Sequence, residues 1–332
     1  MPPHEVKVGV FVPQGWRMDL ADVPDPVEKY ETMSRCAVEA ERAGYDAIFV
    51  YDHFHTVPDP QPESVFECWT SMAGLARDTR TIRLGQMVTC NSYRSPSLLA
   101  KMASCIDVMS HGRLILGIGA GWYEHEYLAY GYEYPDAPER LSMLREALQI
   151  VKAMWTEGEP RFQGRRYSIR GPINEPRPVQ KPHPPIWIGG QGEKVTLKLV
   201  AQYGDGCNIG GDLDNVRHKL EVVRRHCRDV GRDYDTVLKT MEFYCIFGDD
   251  REVARIAADM VRRTGRDERF VREWHPHIGD AERIADLMGQ YAEAGIDYFI
   301  VNLPNAFEVG VISRFAEEVF PRLGLEANNK PA

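Results

Sequence analysis

The stretch GRLILGIGAGWYEHE, residues 112–126, decides between two folds for this chain. An apolar, strand-like run leads into glycines at positions 117, 119 and 121, which gives the spacing GxGxG. The dinucleotide-binding fingerprint instead needs GxGxxG at the opening of a helix, with an acid about 20 residues further on. Trp122 stands where no third glycine completes that fingerprint, and the stretch belongs to the fourth strand–helix unit rather than the first. A dinucleotide-binding sheet is therefore not expected.

A strand-like run followed by a helical pattern repeats along the whole chain. Runs that are apolar on both faces, such as AIFVY, fit parallel strands that are covered on both sides. Eight such units fit a single (β/α)8 TIM barrel, an α/β fold, better than a doubly wound sheet. We expect strands over 6–12, 47–51, 82–88, 114–119, 185–190, 206–211, 237–247 and 297–303, and helices over 27–43, 63–77, 96–109, 138–156 and 308–319.

No composition shift divides the chain, so we expect one domain over residues 1–332. Two segments, 157–184 and 265–279, look too irregular to be barrel elements and are expected to be insertions. His275 and His277 alternate in the second of these, and without a third ligand at suitable spacing they are expected to be loop residues rather than a metal site.

The composition narrows the classes of partner. With 40 basic and 49 acidic residues the formal net charge is −9, which argues against a general nucleic-acid or membrane-surface binder. There is no signal-peptide pattern at the N-terminus and no apolar run of the roughly 20 residues that span a bilayer. The seven scattered cysteines contain no CxxC pair, so neither a zinc site nor a disulfide framework is indicated. We expect a cytoplasmic protein that acts on a small molecule.

Barrel enzymes build their sites at the C-terminal ends of the strands. Asp52 and His53 directly follow the second strand, where an imidazole could donate a proton to a ligand while the carboxylate tunes it. The alternative is that Asp52 caps a turn and His53 only packs. The stretch GQMVTCNSYRSP, residues 85–96, ends the third strand, and its residue types alone favour an ordinary loop.

The stretch IGGQGEKVT, residues 188–196, is the strongest local signal. A strand ends in two glycines, and a third glycine lies just before a helical pattern. Glycines let a backbone approach a ligand closely, and the N–H groups of a first helical turn favour an anion. The stretch predicts a phosphate cradle, although a tight strand–helix turn is the alternative, and it does not match the P-loop pattern.

Four segments occur in one characteristic order: VGVFVPQ (8–14), EAERAGYDAIFVYDHFH (39–55), TIRLGQMVTCNSYRSPSLLAKMASCIDVMSHGRLILGIGAGWYEHE (81–126) and PVQKPHPPIWIGGQGEKVTLKLVAQYGDGCNIGG (178–211). Together they resemble the luciferase-like family of flavin and deazaflavin oxidoreductases. The residues of these segments are most similar to those of the branch that uses the deazaflavin coenzyme F420. The resemblance covers essentially the whole chain and is weakest over 240–332.

The resemblance implies a (β/α)8 barrel with a flavin-like ring at its C-terminal mouth. It places a non-prolyl cis peptide between Met87 and Val88 and matches Asp52 and His53 to the acid–histidine pair near the reactive ring carbon. Thr89 and Cys90 are then expected at the ring edge. The remaining cofactor-binding residues it implies are Gly119, Gly121, Trp122, Gly189, Gly190, Gln191, Gly192 and Glu193.

Two positions differ from the pattern of the deazaflavin dehydrogenases, and both bear on the type of reaction. Dehydrogenases of the deazaflavin branch carry glutamates where this chain has Gly15 and Trp122, and only His53 or the shifted Glu124 remains as a base. The resemblance therefore implies hydride delivery from reduced F420 to an unsaturated or electron-poor small organic acceptor, with His53 as proton donor. Gln14, Trp16, Trp122, Tyr123 and the 157–184 insertion are expected to form the substrate pocket.

Two alternatives stay open. One is a monooxygenase that uses reduced FMN, the other large branch of the same family. The second is a non-catalytic barrel that only binds a flavin-like ligand. Dimers are common among the proteins that the chain resembles, so a homodimer is expected.

Overall fold

The computed structural model describes residues 5–326, so both ends of the expected domain, 1–4 and 327–332, lie outside the described residues. The strands are β1 (Lys7–Phe11), β2 (Ala47–Val50), β3 (Arg83–Gln86), β4 (Thr89–Cys90), β5 (Leu114–Gly119), β6 (Arg161–Gln163), β7 (Ser168–Arg170), β8 (Ile186–Gly189), β9 (Gly206–Asn208), β10 (Leu238–Phe247), β11 (His277–Gly279) and β12 (Tyr298–Asn302). The helices are α1 (Pro26–Ala43), α2 (Cys68–Asp78), α3 (Pro96–Met109), α4 (Glu124–Ala129), α5 (Ala137–Thr156), α6 (Thr196–Tyr203), α7 (Leu213–Asp229), α8 (Asp250–Thr264), α9 (Glu268–Trp274), α10 (Ala281–Glu293) and α11 (Val311–Val319). Short 3₁₀ turns lie at Asn91–Tyr93, Tyr234–Thr236 and Phe320–Leu323.

The chain forms two compact units. The first contains the chain up to Glu67, Gly210–His218 and the chain from Lys239 onward, and the second contains Cys68–Ile209 and Lys219–Leu238. Each of the predicted strand runs holds a strand: β1, β2, β3, β5, β8, β9, β10 and β12. No helix among residues 5–326 is both long and apolar enough to cross a membrane.

The sheet of the first unit is parallel. β1 pairs with β2 on one side and with β12 on the other, and β12 pairs in turn with β10. Every residue of β2 and β12 is buried, as expected for strands that are covered on both faces. Helix α1 begins at the N-cap Asp25, whose carboxylate accepts the N–H groups of the first turn, and ends at Gly44, which has φ 91°.

The sheet of the second unit is also parallel, in the order β3–β5–β8–β9, and the two-residue strand β4 pairs with β5. The predicted insertion 157–184 contains the antiparallel hairpin β6–β7, in which Phe162 faces Ile169. This hairpin is a separate two-stranded sheet. The segment leaves the strand–helix repeat at this hairpin, and its assignment as an insertion stays a prediction.

Two predicted segments differ most clearly from the structure. The segment 265–279 is regular rather than irregular, because Asp267 caps α9 and β11 adds to β10 in parallel, with Cys245 opposite His277. The helix expected from residue 63 begins at Cys68. The residues before it make other contacts: Glu63 pairs with Lys29 at 2.5 Å, and the backbone of Phe66 bonds to Gln14.

Candidate functional site

His53 lies directly after β2, and its ring is held flat against an indole. The centroids of the His53 and Trp16 rings are 4.3 Å apart and the ring planes differ by 3°. Trp16, which follows β1, also contacts Tyr51 at 4.2 Å between ring centroids. Trp16 and Asp52 are buried, whereas His53 keeps part of its surface exposed. The structure thus brings three predicted residues together and fixes the plane of the imidazole.

Gln14 connects the exits of β1 and β2, and its predicted place in the substrate pocket stays a prediction. Its Nε2 donates to the carbonyls of Tyr51 at 2.8 Å and Phe66 at 2.6 Å, and its Oε1 accepts the Tyr51 N–H at 2.7 Å. The side chain is 1% exposed. The side-chain amide therefore makes three hydrogen bonds to the backbone and holds the two strand exits together.

The position of Gly15 is closed to any side chain. Gly15 has φ +96°, and a Cβ built on it would lie 1.8 Å from the carbonyl oxygen of Ser64. Asp19 braces this turn, because its carboxylate accepts the N–H of Gly15 at 2.7 Å and of Gln14 at 3.2 Å. A glutamate of the kind that the dehydrogenases carry cannot be accommodated here without moving the backbone.

In the second unit the Met87–Val88 peptide bond is cis, which confirms the prediction. Two predicted glycines make room for the side chain of Val88. A Cβ on Gly119 of β5 would lie 2.7 Å from Val88 Cγ2, and a Cβ on Gly189 of β8 would lie 2.7 Å from Val88 Cγ1. Met87 is buried while Val88 keeps some exposure. The side chain of Val88 therefore packs directly against the backbone of two glycines.

The side chains of Thr89 and Cys90 are engaged inside the second unit. Thr89 Oγ1 accepts a hydrogen bond from Trp69 Nε1 at 3.2 Å, and Cys90 Sγ lies 3.0 Å from Tyr127 Oη. Gly121 makes room for the same tyrosine, since a Cβ there would lie 2.0 Å from Tyr127 Oη. The predicted place of Thr89, Cys90 and Gly121 at a ring edge stays a prediction.

Trp122, which is exposed, and Tyr123, which is half-buried, form an aromatic pair after β5. Their ring centroids are 5.1 Å apart, the planes differ by 21°, and Trp122 is 59% exposed. Glu124, the possible shifted base, is exposed on the first turn of α4. A pair of stacked rings suits a wall for a planar ligand, which is the predicted role of both residues.

The predicted phosphate cradle is an exposed loop between β8 and α6. Gly190, with φ +112°, is followed by Gln191 and Gly192, and all three are exposed. Glu193 anchors the loop, because its carboxylate pairs with Lys219 at 2.6 Å and its carbonyl accepts from His226 Nε2 at 2.7 Å. No side chain caps the N-terminus of α6. Exposed glycine backbone before a helix start fits a phosphate group.

Sequence analysis missed a chain of polar groups in the first unit. His275 Nε2 donates to Asn302 Oδ1 at 3.1 Å, Asn302 Nδ2 donates to Tyr51 Oη at 3.2 Å, and Tyr51 Oη lies 3.5 Å from Tyr244 Oη. Tyr244 in turn donates to Glu242. His275 follows α9 outside any strand, as predicted, but it is only 1% exposed, and burial lowers its pKa to about 3. The sequence signal for these residues was their position: Tyr51 ends one apolar strand run, and Asn302 lies next to the end of another.

His277 is not a loop residue, contrary to the prediction. It lies in β11 with its ring 4.0 Å from that of Phe243, and burial lowers its pKa to about 4. Both histidines are therefore neutral near pH 7.

Comparison with known proteins places these features in a family. The family model described as luciferase-like monooxygenase matches residues 6–296. A protein of Amycolatopsis mediterranei (strain U-32) named F420-dependent glucose-6-phosphate dehydrogenase is 25% identical over 315 residues, which cover 86% of this chain and 92% of that protein.

Solved structures show the same fold. A structure described as F420-dependent secondary alcohol dehydrogenase in complex with an F420-acetone adduct has a TM-score of 0.80 at 20% identity and covers 96% of this chain and 99% of its own. EDTA monooxygenase from Chelativorans sp. BNC1 has a TM-score of 0.80 at 17% identity, covering 97% of this chain and 94% of its own. The predicted (β/α)8 barrel is confirmed, and the chain belongs to the luciferase-like monooxygenase family.

Proposed function

We propose that this protein is an F420-dependent oxidoreductase that delivers a hydride from reduced F420 to an unsaturated or electron-poor small organic acceptor. Several curated relatives that it matches carry F420-dependent names, which supports the choice of cofactor. The direction rests on one observation: the turn at Gly15 has no room for a carboxylate, while His53 is retained and held in plane by Trp16.

The residues present fit such a cofactor. The exposed Gly190–Gly192 backbone would hold its phosphate group, and the partly exposed Val88 would face its ring. When bound, a reduced deazaflavin supplies a hydride and has little oxygen chemistry. The exposed indole of Trp122 gives the ligand an aromatic wall.

His53 is the proton donor in this proposal. A hydride acceptor gains negative charge as it is reduced, and a proton placed beside it stabilises that charge. The 4.3 Å stack on Trp16 restricts the imidazole to one plane, so its N–H direction is set before the acceptor arrives. Asp52, the preceding residue, adds a buried carboxylate at the same strand exit.

Cofactor titration and turnover test the proposal together. We expect F420 to bind at micromolar concentration, measured by its own fluorescence, and FMN to bind at least about 100-fold more weakly. Reduced F420 should be oxidised with members of a panel of enones, imines and nitroaromatics. His53→Ala should keep F420 binding within about threefold while lowering kcat by on the order of 10²-fold or more. Gly190→Asp should lose F420 binding, because it places a carboxylate in the predicted phosphate cradle.

The control is Gly289→Ala, at a helical glycine that no neighbouring side chain approaches within 4 Å, and it should change neither quantity. Tight binding of FMN without binding of F420 would favour the monooxygenase alternative. F420 binding without any turnover across the panel would favour a non-catalytic barrel.

A further inference from the structure

Arg17, which follows β1, is half-buried, and its guanidinium lies among three aromatic rings. Its Cζ lies 4.3 Å from the ring centroid of Tyr244, 4.3 Å from that of Trp274 and 5.3 Å from that of Trp16. Arg17 Nε and Nη1 are both buried, and neither has a hydrogen-bond partner among the described residues. The rings hold the cation in place, but the N–H groups of Nε and Nη1 form no hydrogen bond with the described residues.

The nearby carboxylate does not serve as its partner. Asp19 lines the same cavity as Arg17, but its oxygens accept the N–H groups of Gly15 and Gln14. A buried cation without a counter-charge is costly, and attraction to aromatic faces offsets only part of its lost hydration. A site that keeps such a group is built for an anion that arrives from outside.

The cavity beside Arg17 has the size and the polarity for one oxygen of an anionic group. Its volume is about 20 Å³, which accommodates one oxygen-sized group. Arg263 lines it as a second cation and is 4% exposed, bonded to the carbonyls of Met18 and Pro304. Arg263 is paired with Asp22 at 3.8 Å, whereas a single water in this volume would leave Arg17 without such an ion pair.

His275 adds an acceptor to the two cations. Its Nε2 donates to Asn302, so its Nδ1 carries a lone pair, and Nδ1 is buried with no partner in residues 5–326. The cavity therefore offers N–H donors from Arg17 and one acceptor from His275. A carboxylate or a singly protonated phosphate that places one oxygen in this cavity, with the rest of the anion outside it, would accept from Arg17.

We propose that Arg17 anchors an anionic group of the substrate, a carboxylate or a phosphate, so that the acceptor reduced by this protein is a small organic anion. The inference rests on the proposed function, because Trp16 contacts both Arg17 and His53 and so links the anion anchor to the proton donor. Recognition by one guanidinium fixes the anionic end of the acceptor relative to the imidazole.

Binding of simple anions tests this without knowledge of the substrate. Sodium acetate, sodium phosphate and the neutral isostere acetamide are titrated into the full chain at constant ionic strength, and tryptophan fluorescence and the melting temperature are followed. Because Arg17 packs on two indoles, we expect saturable quenching and a raised melting temperature with acetate or phosphate, and neither with acetamide. Arg17→Met, which keeps an unbranched apolar stem, should raise the anion dissociation constant at least about tenfold.

Arg269→Met is the matched control, since Arg269 is an exposed arginine on α9 paired with Glu273, and it should bind anions like the wild type. Arg17→Lys, which keeps the charge, checks that a loss in Arg17→Met is not a folding defect and should retain part of the binding. Anion binding that is equal in wild type and Arg17→Met, or that is absent from the wild type, overturns the inference. F420 binding is measured on the same samples, and its absence from all of them contradicts the proposed function while the anion result stands separately.

Discussion

The fit of Val88 between two glycines leads to a quantitative prediction about packing. In Gly119→Ala the new methyl would lie 2.7 Å from Val88 Cγ2, well inside an ordinary contact distance. The backbone of Gly119 is not in the left-handed region, so alanine itself is allowed there. The obstacle is therefore one side chain, and Val88 cannot turn away freely because Gly189 of β8 already lies against its Cγ1.

The expected cost follows from two opposing terms. Overpacking a core typically destabilises by about 1–3 kcal/mol, whereas replacing a strand glycine by alanine returns about 0.5–1 kcal/mol of backbone entropy. Gly119→Ala should therefore lose about 1–2 kcal/mol of unfolding free energy. Val88→Ala removes two partly buried methyl groups and should lose about 1 kcal/mol. In the double variant the new methyl fits, so the two changes should be coupled by about 2 kcal/mol.

The assay is urea unfolding of the four proteins, followed by circular dichroism and by tryptophan fluorescence. Gly289→Ala, in the interior of α10 with no neighbouring atom within 4 Å of its Cβ position, is the control and should gain about 1 kcal/mol. If Gly119→Ala costs the same in the wild-type background as in the Val88→Ala background, the contact between the two residues does not limit the packing and the reasoning is refuted.

Three further outcomes are expected. Gly15→Ala should destabilise by about 3 kcal/mol or more in urea unfolding, since its Cβ would meet the Ser64 carbonyl at 1.8 Å in a positive-φ turn; near-wild-type stability would contradict the closed turn. Lys219→Met should weaken F420 binding about fivefold in a fluorescence titration, because it leaves the Glu193 carboxylate uncompensated beside the glycine loop; unchanged affinity would separate that ion pair from the loop. Burial lowers the pKa of His277 to about 4 from 6.5, so the unfolded chain binds more protons between these values and stability falls as the pH drops through them. In His277→Phe, unfolding free energies at pH 7 and pH 4 should differ by roughly 2–3 kcal/mol less than in the wild type, and an identical difference would exclude His277 as a source of acid sensitivity.

The strand–helix repeat was predictable because a strand covered on both faces must be apolar throughout, and that leaves a visible run. The position of Asp52 and His53 at a strand exit was predictable for a related reason, since they directly follow such a run, and their role in catalysis stays a prediction. The role of Gly119 and Gly121 was not. A sequence shows that a glycine is present, but the group that fills its missing side-chain volume, Val88 or Tyr127, comes from another segment.

Segment 265–279 was misjudged because its order depends on distant contacts. Val271 of α9 is buried in a cluster with Ile246 of β10 and Met260 of α8, and β11 exists only by pairing with β10. Helix α9 has seven residues and strand β11 has three, and elements this short do not show a detectable hydrophobic periodicity in the sequence. The burial of His275 and His277 was unpredictable for the same reason, since nothing local indicates it.

Arg17 illustrates how the departure at Gly15 changes the chemistry of the neighbouring side chains. Because position 15 turns with φ +96°, its N–H points to Asp19, which is therefore committed to the turn. Among residues 5–326, Asp19 forms these two backbone hydrogen bonds and no ion pair with Arg17. The closed turn at Gly15 and the guanidinium without an ion pair both favour an acceptor that brings its own negative charge and takes its proton from His53.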